Sequence, residues 1–411
     1  MNRIIENKKL SGEISAITSK SYAHRAIFCA ALAKGESVIE IDELSKDIEA
    51  SLNAAKSLGV RIKKIGNKFY INPPKKFLGP VTVDVFESGS TLRFLLPVIA
   101  ALGLEAKIIR RGSLVGRTNS VYFHEFPNHG VEIKEVGDSI YLRGKLRDFN
   151  FTLPGNISSQ FISGLMLASG YCQEDFNIRL TNETESKPYI DMTIDVMKNF
   201  GVDVIENENF YTCKGKFSPV NYVVEKDWSN ALFFLVAGVK VLGLNKNSVQ
   251  GDRKALEFLK DLGYYNISKE DFHLKKINDA KKKVTLDAKN MPDAVPILSI
   301  VAAHSNTETE VINIKRLRLK ESDRVKSTID MLENLGVQVK LFEDSFSFRG
   351  VEKFKSCKIN TYNDHRIAMS ASIAATFADG PIRINDCQCV EKSYKNFFCD
   401  FKSLGGKTNV I

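Results

Sequence analysis

Along the chain, stretches whose hydrophobic positions have helical spacing end six times at a glycine and are followed at once by a strand-like run. A glycine directly after a helix commonly takes the left-handed conformation that closes the last turn. These glycines are Gly59, Gly130, Gly201, Gly263, Gly336 and Gly405. They lie 71, 71, 62, 73 and 69 residues apart. The spacing predicts six copies of one structural unit, which together span nearly the whole chain.

Two of the copies can be divided into individual elements. Alternating apolar positions predict strands, and apolar positions that recur every three or four residues predict helices. The third copy contains a strand at 150–153, a helix at 157–169, a strand at 176–180, a helix at 186–200 and strands at 202–206 and 210–213. The fifth copy contains a strand at 284–286, a helix at 292–304, a strand at 308–314, a helix at 321–335 and strands at 337–342 and 346–348. The unit is therefore β-α-β-α-β-β, and neighbouring copies should pack around a shared core.

Three copies form a domain of about 200 residues, so the predicted fold class is α/β with two similar domains of three βαβαββ repeats each. The last copy ends without its final strand, which residues 2–6 can supply. The N-terminal segment then belongs to the C-terminal half, and two crossings form a hinge between the domains. The expected bounds are residues 1–18 with 227–411 for one domain, 19–226 for the other, and 14–19 and 225–228 for the crossings.

The composition is that of a folded protein with an anionic partner. The chain has 58 Lys or Arg against 49 Asp or Glu, and the formal charge of +9 favours phosphates, carboxylates, nucleic acid or a membrane surface. The first ten residues lack the apolar run of a signal peptide, and no apolar run is long enough to span a bilayer. The seven scattered cysteines are typical of a reduced cytoplasmic protein, and Cys387-Gln388-Cys389 lacks the second ligand pair of a zinc site. We therefore expect a cytoplasmic protein without a metal site.

Hydroxyl, acidic and cationic residues recur where the predicted helices begin. These positions include Lys20, Gly89, Ser158 and Ser186 in the first half and Asp293, Lys320, Glu321, Arg324, Arg366 and Lys392 in the second. Each residue alone fits a helix cap or a surface ion pair, but the repetition favours a ligand site. Helix N-termini bind anions because their N–H groups are unpaired and their dipole end is positive. We expect two such faces, one in each domain, to hold a polyanionic small molecule in a cleft that domain motion closes.

Motifs at these positions resemble the 5-enolpyruvylshikimate-3-phosphate (EPSP) synthase family, also called the 3-phosphoshikimate 1-carboxyvinyltransferases. In chain order they are Ser19-Lys20-Ser21 with Arg25, Ser158-Ser159-Gln160, Ser186-Lys187-Pro188-Tyr189-Ile190-Asp191, Gln250-Gly251-Asp252, Pro292-Asp293-Ala294, Lys320-Glu321-Ser322-Asp323-Arg324 and Asn363-Asp364-His365-Arg366. The resemblance implies two domains of three βαβαββ copies, with helix N-termini that face the cleft. It also implies transfer of the enolpyruvyl group of phosphoenolpyruvate to the 5-hydroxyl of shikimate 3-phosphate, through a tetrahedral intermediate and with release of phosphate. This step of the shikimate pathway leads to chorismate and the aromatic amino acids and needs no cofactor.

The resemblance further implies two overlapping sets of binding residues. Shikimate 3-phosphate would contact Lys20, Ser21, Arg25, Ser158, Ser159, Gln160, Ser186, Tyr189, Asp293 and Lys320. Phosphoenolpyruvate would contact Lys20, Gly89, Arg117, Gln160, Arg324, Arg366 and Lys392. Asp293 would accept the proton of the 5-hydroxyl, and either Glu321 or Lys20 would serve as the proton donor. The sequence leaves the choice between these two donors open.

Some positions depart from the family pattern. Glu87-Ser88-Gly89-Ser90 stands where many members have Asn-Ala-Gly-Thr, and Arg316 stands where many have Asn. The Arg-Pro pair expected near the phosphoenolpyruvate arginine is missing, so Arg110 and Arg111 are rivals of Arg117 for that role.

Two other functions compete with this one. The sister enolpyruvyl transferase acts on UDP-N-acetylglucosamine with a loop cysteine, and residues 112–119 contain no cysteine. Only the net charge suggests a nucleic-acid-binding protein, because the longest basic run of this chain is the three residues Lys281-Lys282-Lys283. We expect a monomeric enzyme that binds two small phosphorylated substrates and neither nucleic acid nor membrane.

Overall fold

The computed structural model describes all 411 residues, which form two compact units. One unit contains Met1–Ile17 and Lys226–Ile411, and we call it the discontinuous unit. The other contains Thr18–Glu225, and we call it the continuous unit. None of the helices combines the length and the apolar character that a membrane crossing requires.

The two units together contain 24 strands and 12 α-helices. The strands are β1 (Arg3–Ile5), β2 (Glu13–Ser15), β3 (Ser37–Glu40), β4 (Arg61–Ile65), β5 (Lys68–Asn72), β6 (Val81–Asp84), β7 (Ala106–Ile109), β8 (Val131–Val136), β9 (Ser139–Gly144), β10 (Asn150–Leu153), β11 (Phe176–Leu180), β12 (Asp203–Asn207), β13 (Phe210–Lys214), β14 (Asn221–Val223), β15 (Lys240–Leu242), β16 (Tyr264–Asn266), β17 (Leu274–Lys276), β18 (Lys283–Asp287), β19 (Glu308–Ile312), β20 (Val339–Leu341), β21 (Ser345–Arg349), β22 (Lys358–Ile359), β23 (Ile382–Ile384) and β24 (Thr408–Val410). The helices are α1 (Lys20–Leu32), α2 (Lys46–Ser57), α3 (Gly89–Leu102), α4 (Ser120–Asn128), α5 (Ser159–Ser169), α6 (Lys187–Asn199), α7 (Trp228–Val236), α8 (Ala255–Asp261), α9 (Val295–Ala303), α10 (Arg324–Asn334), α11 (His365–Ala374) and α12 (Phe397–Ser403).

The continuous unit contains three four-stranded sheets with one common topology. Their strand orders are β14-β3-β5-β4, β6-β7-β9-β8 and β10-β11-β13-β12. In each sheet the first two strands are parallel and the other pairs are antiparallel. A parallel pair needs a crossover helix, whereas an antiparallel pair needs only a short turn, so this topology is the one that a β-α-β-α-β-β unit produces.

The discontinuous unit repeats the same topology in two sheets, β18-β19-β21-β20 and β22-β23-β1-β24. In the second of these, β1 is antiparallel to both β23 and β24, and its Ile5 side chain is fully buried. The N-terminal segment thus supplies one strand of the sheet that contains the last strand of the chain. The remaining copy is less regular, since β15 pairs with β2, β16 pairs with β17, and only a bridge between Val241 and Phe272 links the two pairs.

The chain crosses between the units twice, and at each crossing a strand and the helix that follows it belong to different units. Strand β2 directly precedes α1 in the chain but pairs with β15 of the discontinuous unit. Strand β14 directly precedes α7 but pairs with β3 of the continuous unit. The sequence pattern did not predict the pairing of β14, because a three-residue strand carries no local signal for a partner about 180 residues away.

The helix ends follow the predicted glycine repeat. Each of the six repeat glycines has a positive φ, between +83° and +95°. Each lies two residues after the last residue of a helix, which is α2, α4, α6, α8, α10 or α12. A side chain at such a position costs about 1–2 kcal/mol, so glycine is the residue that closes the helix at the lowest cost.

Within each copy, one helix is almost wholly buried and the other has one apolar face. All nine residues of α9 are buried, and in α5 every residue except Gln160 is buried. In α2, α6 and α10, by contrast, polar residues occupy the exposed positions. A helix that is apolar on all sides belongs inside a domain, so α5 and α9 lie in the cores and bring their first residues to the ends of those cores.

Two helices of the discontinuous unit begin later than predicted. Helix α9 begins at Val295, because Pro296 has no N–H and fits only the first turn. Asp293 therefore lies in the turn before the helix and not in its first turn. Helix α10 begins at Arg324, because the side chain of Asp323 caps it, and Glu321 therefore lies in the preceding loop.

The expected helix start at Lys392 is also wrong. Lys392 is the last residue of a short 3-10 helix, Cys387–Lys392, and α12 begins only at Phe397. Lys392 is nevertheless buried, so its ammonium group is held within the unit and not in solvent.

Candidate functional site

In the continuous unit, three helices begin at residues that the sequence analysis assigns to ligand binding. They begin at Lys20, Gly89 and Ser159. The residue before each is a serine, and its hydroxyl accepts a hydrogen bond from an N–H group of the first turn. Serine at this position stabilises a helix by about 1 kcal/mol and leaves the other first-turn N–H groups available. All three starts therefore favour an anion.

Gln160 joins the starts of α3 and α5. Its amide oxygen accepts a hydrogen bond from Arg93 at 2.6 Å, and its amide nitrogen donates to the hydroxyl of Ser90 at 2.9 Å. Arg93 also donates to the carbonyl of Thr118 at 2.8 Å and lies over the ring of Phe161. These contacts fix Gln160 in one orientation and hold the loop before α4 against the two helix starts.

Among the three candidate arginines, Arg117 is the one that lies beside Gly89. A Cβ atom built on Gly89 would lie 2.6 Å from Nη1 of Arg117. The Nε atom of Arg117 is buried without a hydrogen-bond partner. The guanidinium therefore reaches the start of α3 only because residue 89 has no side chain.

The side chains of the two rival arginines, Arg110 and Arg111, bond to other residues. Arg110 is buried and bonds to the carboxylate of Glu135 at 2.7 Å and to three backbone carbonyl groups. Arg111 is exposed and pairs with Asp84. Arg110 therefore holds its own loop together, and Arg111 forms a surface ion pair.

Arg25 connects α1 to α5 and α6. Its guanidinium donates to the hydroxyls of Thr193 at 2.7 Å and Ser163 at 3.5 Å, and to the carbonyls of Ser21 at 2.6 Å and Tyr189 at 2.7 Å. These bonds use four of its five N–H groups, which leaves one on Nη1 for a ligand. Burial lowers the pKa of Arg25 to about 10, so it remains charged at neutral pH.

Predicted binding residues also stand at the starts of α1 and α6. Lys20 forms an ion pair with Asp47 of α2 at 2.9 Å, and both side chains are largely buried. Ser186 precedes α6 with a φ of +55° and is buried. The carbonyl of Tyr189, in the first turn of α6, accepts the Arg25 bond, so the starts of α1 and α6 are held together.

In the discontinuous unit, Arg324 is the centre of a carboxylate cluster. Its buried guanidinium donates to Asp293 at 2.6 Å, Glu321 at 2.7 Å and Asp364 at 2.8 Å. Burial alone would lower the pKa of Arg324, but the charges of the three carboxylates outweigh it and raise the pKa well above the usual value. Arg324 is thus a permanent cation that fixes Asp293 and Glu321.

Asp293 lies among three cations. Its Oδ1 atom is 2.6 Å from Arg324 and 3.6 Å from Nζ of Lys320, and its Oδ2 atom is 3.3 Å from Arg366. Burial lowers the pKa of Lys320 to about 8, although Asp293 opposes this shift. Burial would also lower the pKa of Arg366, but Asp293 and Asp227 raise it above the usual value. The carboxylate of Asp293 is therefore surrounded by cations that can also bind anionic ligands.

The start of α11 completes this cluster. Asp364 caps the helix by accepting a hydrogen bond from the backbone N–H of Arg366, and it accepts the Arg324 bonds with the same carboxylate. Lys392 donates to the carbonyl of Asn363 at 2.9 Å, so its ammonium group is tied to the loop that precedes α11.

Several residues that hold the site were not assigned from the sequence. They are Asp47, Arg93, Ser163, Thr193 and Asp364. Asp364 and Arg93 stand in motifs at helix starts and could have been assigned from that position. Ser163 and Thr193 lie inside helices and carry no sequence signal for a bond to Arg25.

Chemically, the discontinuous unit presents a base next to groups that bind anions, and the continuous unit presents helix starts with fixed lysine, arginine and amide groups. An arginine fork suits both carboxylates and phosphates because it binds either one through two parallel hydrogen bonds. No group of three or more His, Cys, Asp or Glu side chains is arranged to hold a metal ion.

Comparison with known proteins agrees with this chemistry. The sequence profile of the family described as EPSP synthase (3-phosphoshikimate 1-carboxyvinyltransferase) matches residues 4–401. A 3-phosphoshikimate 1-carboxyvinyltransferase of Clostridium perfringens is 40% identical over 98% of this chain and 98% of its own length. The corresponding protein of Clostridium novyi is 39% identical over 97% of this chain and 96% of its own.

A solved structure, EPSP synthase from Acinetobacter baumannii, has the same fold. It superposes with a TM-score of 0.80 at 24% sequence identity and covers 100% of both chains. This confirms the α/β fold class that the sequence predicted. Because the family profile and the relatives span nearly the whole chain, the chain belongs to the EPSP synthase (3-phosphoshikimate 1-carboxyvinyltransferase) family.

Proposed function

We propose that this protein transfers the carboxyvinyl group of phosphoenolpyruvate to the 5-hydroxyl of shikimate 3-phosphate and releases phosphate. The observation that carries the proposal is the position of Asp293, whose carboxylate lies within 3.6 Å of Lys320, Arg324 and Arg366. The reaction requires a base next to the hydroxyl and cations next to two anionic substrates, and this cluster supplies both.

The proposed contacts to shikimate 3-phosphate come from both units. The continuous unit supplies Lys20, Ser21, Arg25, Ser158, Ser159, Gln160, Ser186 and Tyr189, and the discontinuous unit supplies Asp293 and Lys320. Hydroxyls and first-turn N–H groups suit the phosphate of this substrate. Arg25 can add one N–H group, since its other four already bond to the protein.

The proposed contacts to phosphoenolpyruvate are mainly cationic. They are Lys20, Gly89, Arg117 and Gln160 in the continuous unit, and Arg324, Arg366 and Lys392 in the discontinuous unit. The position of Arg117 over Gly89 supports it over Arg110 and Arg111, because neither rival lies at the start of α3 with a guanidinium available for a ligand.

The reaction proceeds by addition and elimination. Asp293 accepts the proton of the 5-hydroxyl while that oxygen bonds to C2 of phosphoenolpyruvate, and Glu321 or Lys20 donates a proton to C3. In the tetrahedral intermediate, the group that donated the proton, now deprotonated, takes a proton back from C3 as the bond between C2 and the phosphate oxygen breaks. The proton held by Asp293 passes to the departing phosphate. Atoms and charges balance with phosphate as the leaving group. Arg117, Arg324, Arg366 and Lys392 stabilise the charge on the carboxylate and the departing phosphate.

Phosphate release from phosphoenolpyruvate tests the proposal directly. We expect release that depends on shikimate 3-phosphate, and none when UDP-N-acetylglucosamine replaces it. Release with the sugar nucleotide instead would favour the sister transferase. Retention on a nucleic acid column at moderate salt, without either activity, would favour a nucleic-acid-binding protein.

Substitution Asp293→Asn tests the assignment of the base. The amide keeps the shape of the side chain but cannot accept the hydroxyl proton, so kcat should fall by about 10²- to 10⁴-fold while substrate binding persists. Asp261→Asn is the matched control, since Asp261 is a partly exposed aspartate of the same unit that pairs with Lys281. Turnover that survives in Asp293→Asn would show that another group removes the proton.

We also propose that the enzyme works as a monomer in the cytoplasm. Its seven cysteines are unpaired, which supports a reducing compartment. Sedimentation of the active protein at assay concentration should give the mass of one 46.0 kDa chain. A species of twice that mass would contradict the monomer.

A further inference from the structure

The motif Gln250-Gly251-Asp252 contains a buried acid to which the mechanism above gives no role. Asp252 lies in a short 3-10 helix, Gly251–Lys254, and is 3% exposed. The hydroxyl of Ser229 lies near its carboxylate, but neither carboxylate oxygen accepts a hydrogen bond of good geometry. An ionised carboxylate is rarely buried without such bonds, because the lost hydration is costly. The burial of Asp252 therefore disfavours the ionised form of its carboxyl group.

The position of Asp252 is fixed by its neighbour Gln250. The amide oxygen of Gln250 accepts a hydrogen bond from the backbone N–H of Trp228 at 3.0 Å, and its amide nitrogen donates to the carbonyl of Lys226 at 2.7 Å. These bonds hold the 3-10 helix against the start of α7. Asp227 caps α7 at the same place by accepting a bond from the N–H of Asn230 at 2.7 Å.

From there, side-chain contacts lead to the candidate base. The amide oxygen of Asn230 lies 3.5 Å from Nη1 of Arg366, and Nη2 of Arg366 lies 3.3 Å from Asp293. The amide nitrogen of Asn230 and the Nε atom of Arg366 are buried donors without a partner. The start of α7, against which the 3-10 helix of Asp252 is held, is thus connected to Arg366 and Asp293.

The charge on Asp252 is influenced by residues of α7, α11 and the turn before α9. Asp293 and Asp227 repel a negative charge on it, Arg366 attracts one, and the hydroxyl of Ser229 on α7 also favours the ionised form. On its own 3-10 helix, Arg253 turns away to the carbonyls of Ser248 and Lys246. The charged residues of α8, such as Glu257 and Lys260, are exposed.

Burial and the repulsion by Asp293 disfavour the ionised form of Asp252 more than Arg366 and Ser229 favour it. Burial and repulsion together raise the pKa of Asp252 to about 7. Asp252 is therefore a much weaker acid than an exposed aspartate, and its charge depends on the groups around it.

We propose that Asp252 is a positioning residue of the active site, which sets by its own protonation state the charge that faces Arg366 and Asp293. This inference rests on the proposed function. When Asp252 is ionised, its repulsion strengthens Asp293 as a base toward the substrate hydroxyl, and its attraction holds Arg366. When Asp252 is protonated, both effects are lost and turnover slows.

The variant Asp252→Asn tests this inference, because the amide keeps the shape of the side chain and cannot ionise. We would measure kcat for both proteins from pH 5.5 to pH 9. The ratio of wild-type to variant kcat should be close to one at the acidic end and should rise through pH 7 to about tenfold. A purely structural role of Asp252 would give the same ratio at every pH.

Asp400→Asn is the matched control. Asp400 is a half-buried aspartate of the same unit whose pKa is raised by burial, and it accepts a hydrogen bond from Tyr394. Its ratio of wild-type to variant kcat should not change with pH. A constant ratio for Asp252→Asn, or an equal slope for Asp400→Asn, would overturn the inference.

A second measurement does not depend on turnover. In wild-type protein with ¹³C-labelled aspartate and no substrate, one carboxyl resonance should titrate between pH 6 and 8, and it should be missing from Asp252→Asn. Absence of such a resonance from the wild type would overturn the inference even if the variant does not fold. If the resonance titrates but no protein turns over shikimate 3-phosphate, the proposed function fails and the unusual acidity of Asp252 stands.

Discussion

Replacing Gly89 by alanine should displace the guanidinium of Arg117 without unfolding the protein. The added Cβ would lie 2.6 Å from Nη1 and 3.1 Å from Cζ of Arg117. Ordinary contacts between such atoms are about 3.5 Å or longer, so the guanidinium must move by about 1 Å. Gly89 is the first residue of α3 and does not have a positive φ, so its backbone accepts alanine.

The expected effect on binding is much larger than the effect on folding. A guanidinium is the flexible end of a side chain, so its displacement should change the free energy of unfolding by less than about 1 kcal/mol. If Arg117 binds the carboxylate or phosphate of phosphoenolpyruvate, a lost charge-assisted hydrogen bond costs about 1.5–3 kcal/mol. That loss corresponds to about a 10- to 100-fold increase in the KM for phosphoenolpyruvate.

The assay is steady-state phosphate release with each substrate varied in turn, together with a thermal melt of each protein. Gly116→Ala is the matched control in the Arg117 loop, because a Cβ there would meet nothing within 4 Å. We expect Gly89→Ala to raise the KM for phosphoenolpyruvate alone. An unchanged KM would refute the placement of Arg117, and an equal rise for both substrates would show a general distortion of the site.

Three further predictions follow from the same structure. Arg110→Ala should lower the free energy of unfolding by about 1–3 kcal/mol, because it removes a buried side chain and its hydrogen bonds to Glu135 and three carbonyl groups. Arg111→Ala should leave the free energy of unfolding nearly unchanged, because its ion pair with Asp84 is exposed. Denaturant unfolding measures both, and the reverse order would contradict their assigned roles. Gly164→Ala should lower the free energy of unfolding by about 1–3 kcal/mol or more, because its Cβ would overlap the carbonyl oxygen of Arg93. A melting temperature as high as that of the wild type would show that α3 and α5 are further apart. The affinity of the free enzyme for shikimate 3-phosphate should fall as pH rises through 8, because Lys320, whose pKa is lowered to about 8, then loses its charge. Fluorescence of the single tryptophan can follow this binding. In Lys320→Arg the side chain stays charged, so an equal fall of affinity with pH in this variant would rule out Lys320 as the cause.

The fold could be predicted from the sequence because its signals are local. A glycine two residues after a helix, and apolar positions with a period of two or 3.6, are both visible in a short window, and the six repeat glycines all have the expected backbone conformation. The pairing of β14 with β3 could not be predicted, because it depends on which strand is available in space. The helix starts at Val295 and Arg324 were placed early, because Asp293 and Glu321 match helix-opening residues in type but lie in the preceding loops.

The candidate site could be predicted only in part, for the same reason. The residues at helix starts were identified because capping is a local pattern. Their partners were not, since Arg25 bonds to Ser163 and Thr193, which lie 138 and 168 residues further along the chain. The choice among Arg110, Arg111 and Arg117 also required the structure, because all three have the same chemistry and differ only in what surrounds them.

The central claim is that a carboxyvinyl group and not a phosphoryl group is transferred, and the fate of one oxygen atom tests it most directly. Phosphoenolpyruvate labelled with ¹⁸O at the bridge between C2 and phosphorus would be converted in the presence of shikimate 3-phosphate, and both products would be analysed by mass spectrometry. We predict that the label leaves with the phosphate, because the bond between C2 and this oxygen breaks. Label that remains with the three-carbon group would mean that the bond between oxygen and phosphorus breaks, and it would contradict the account.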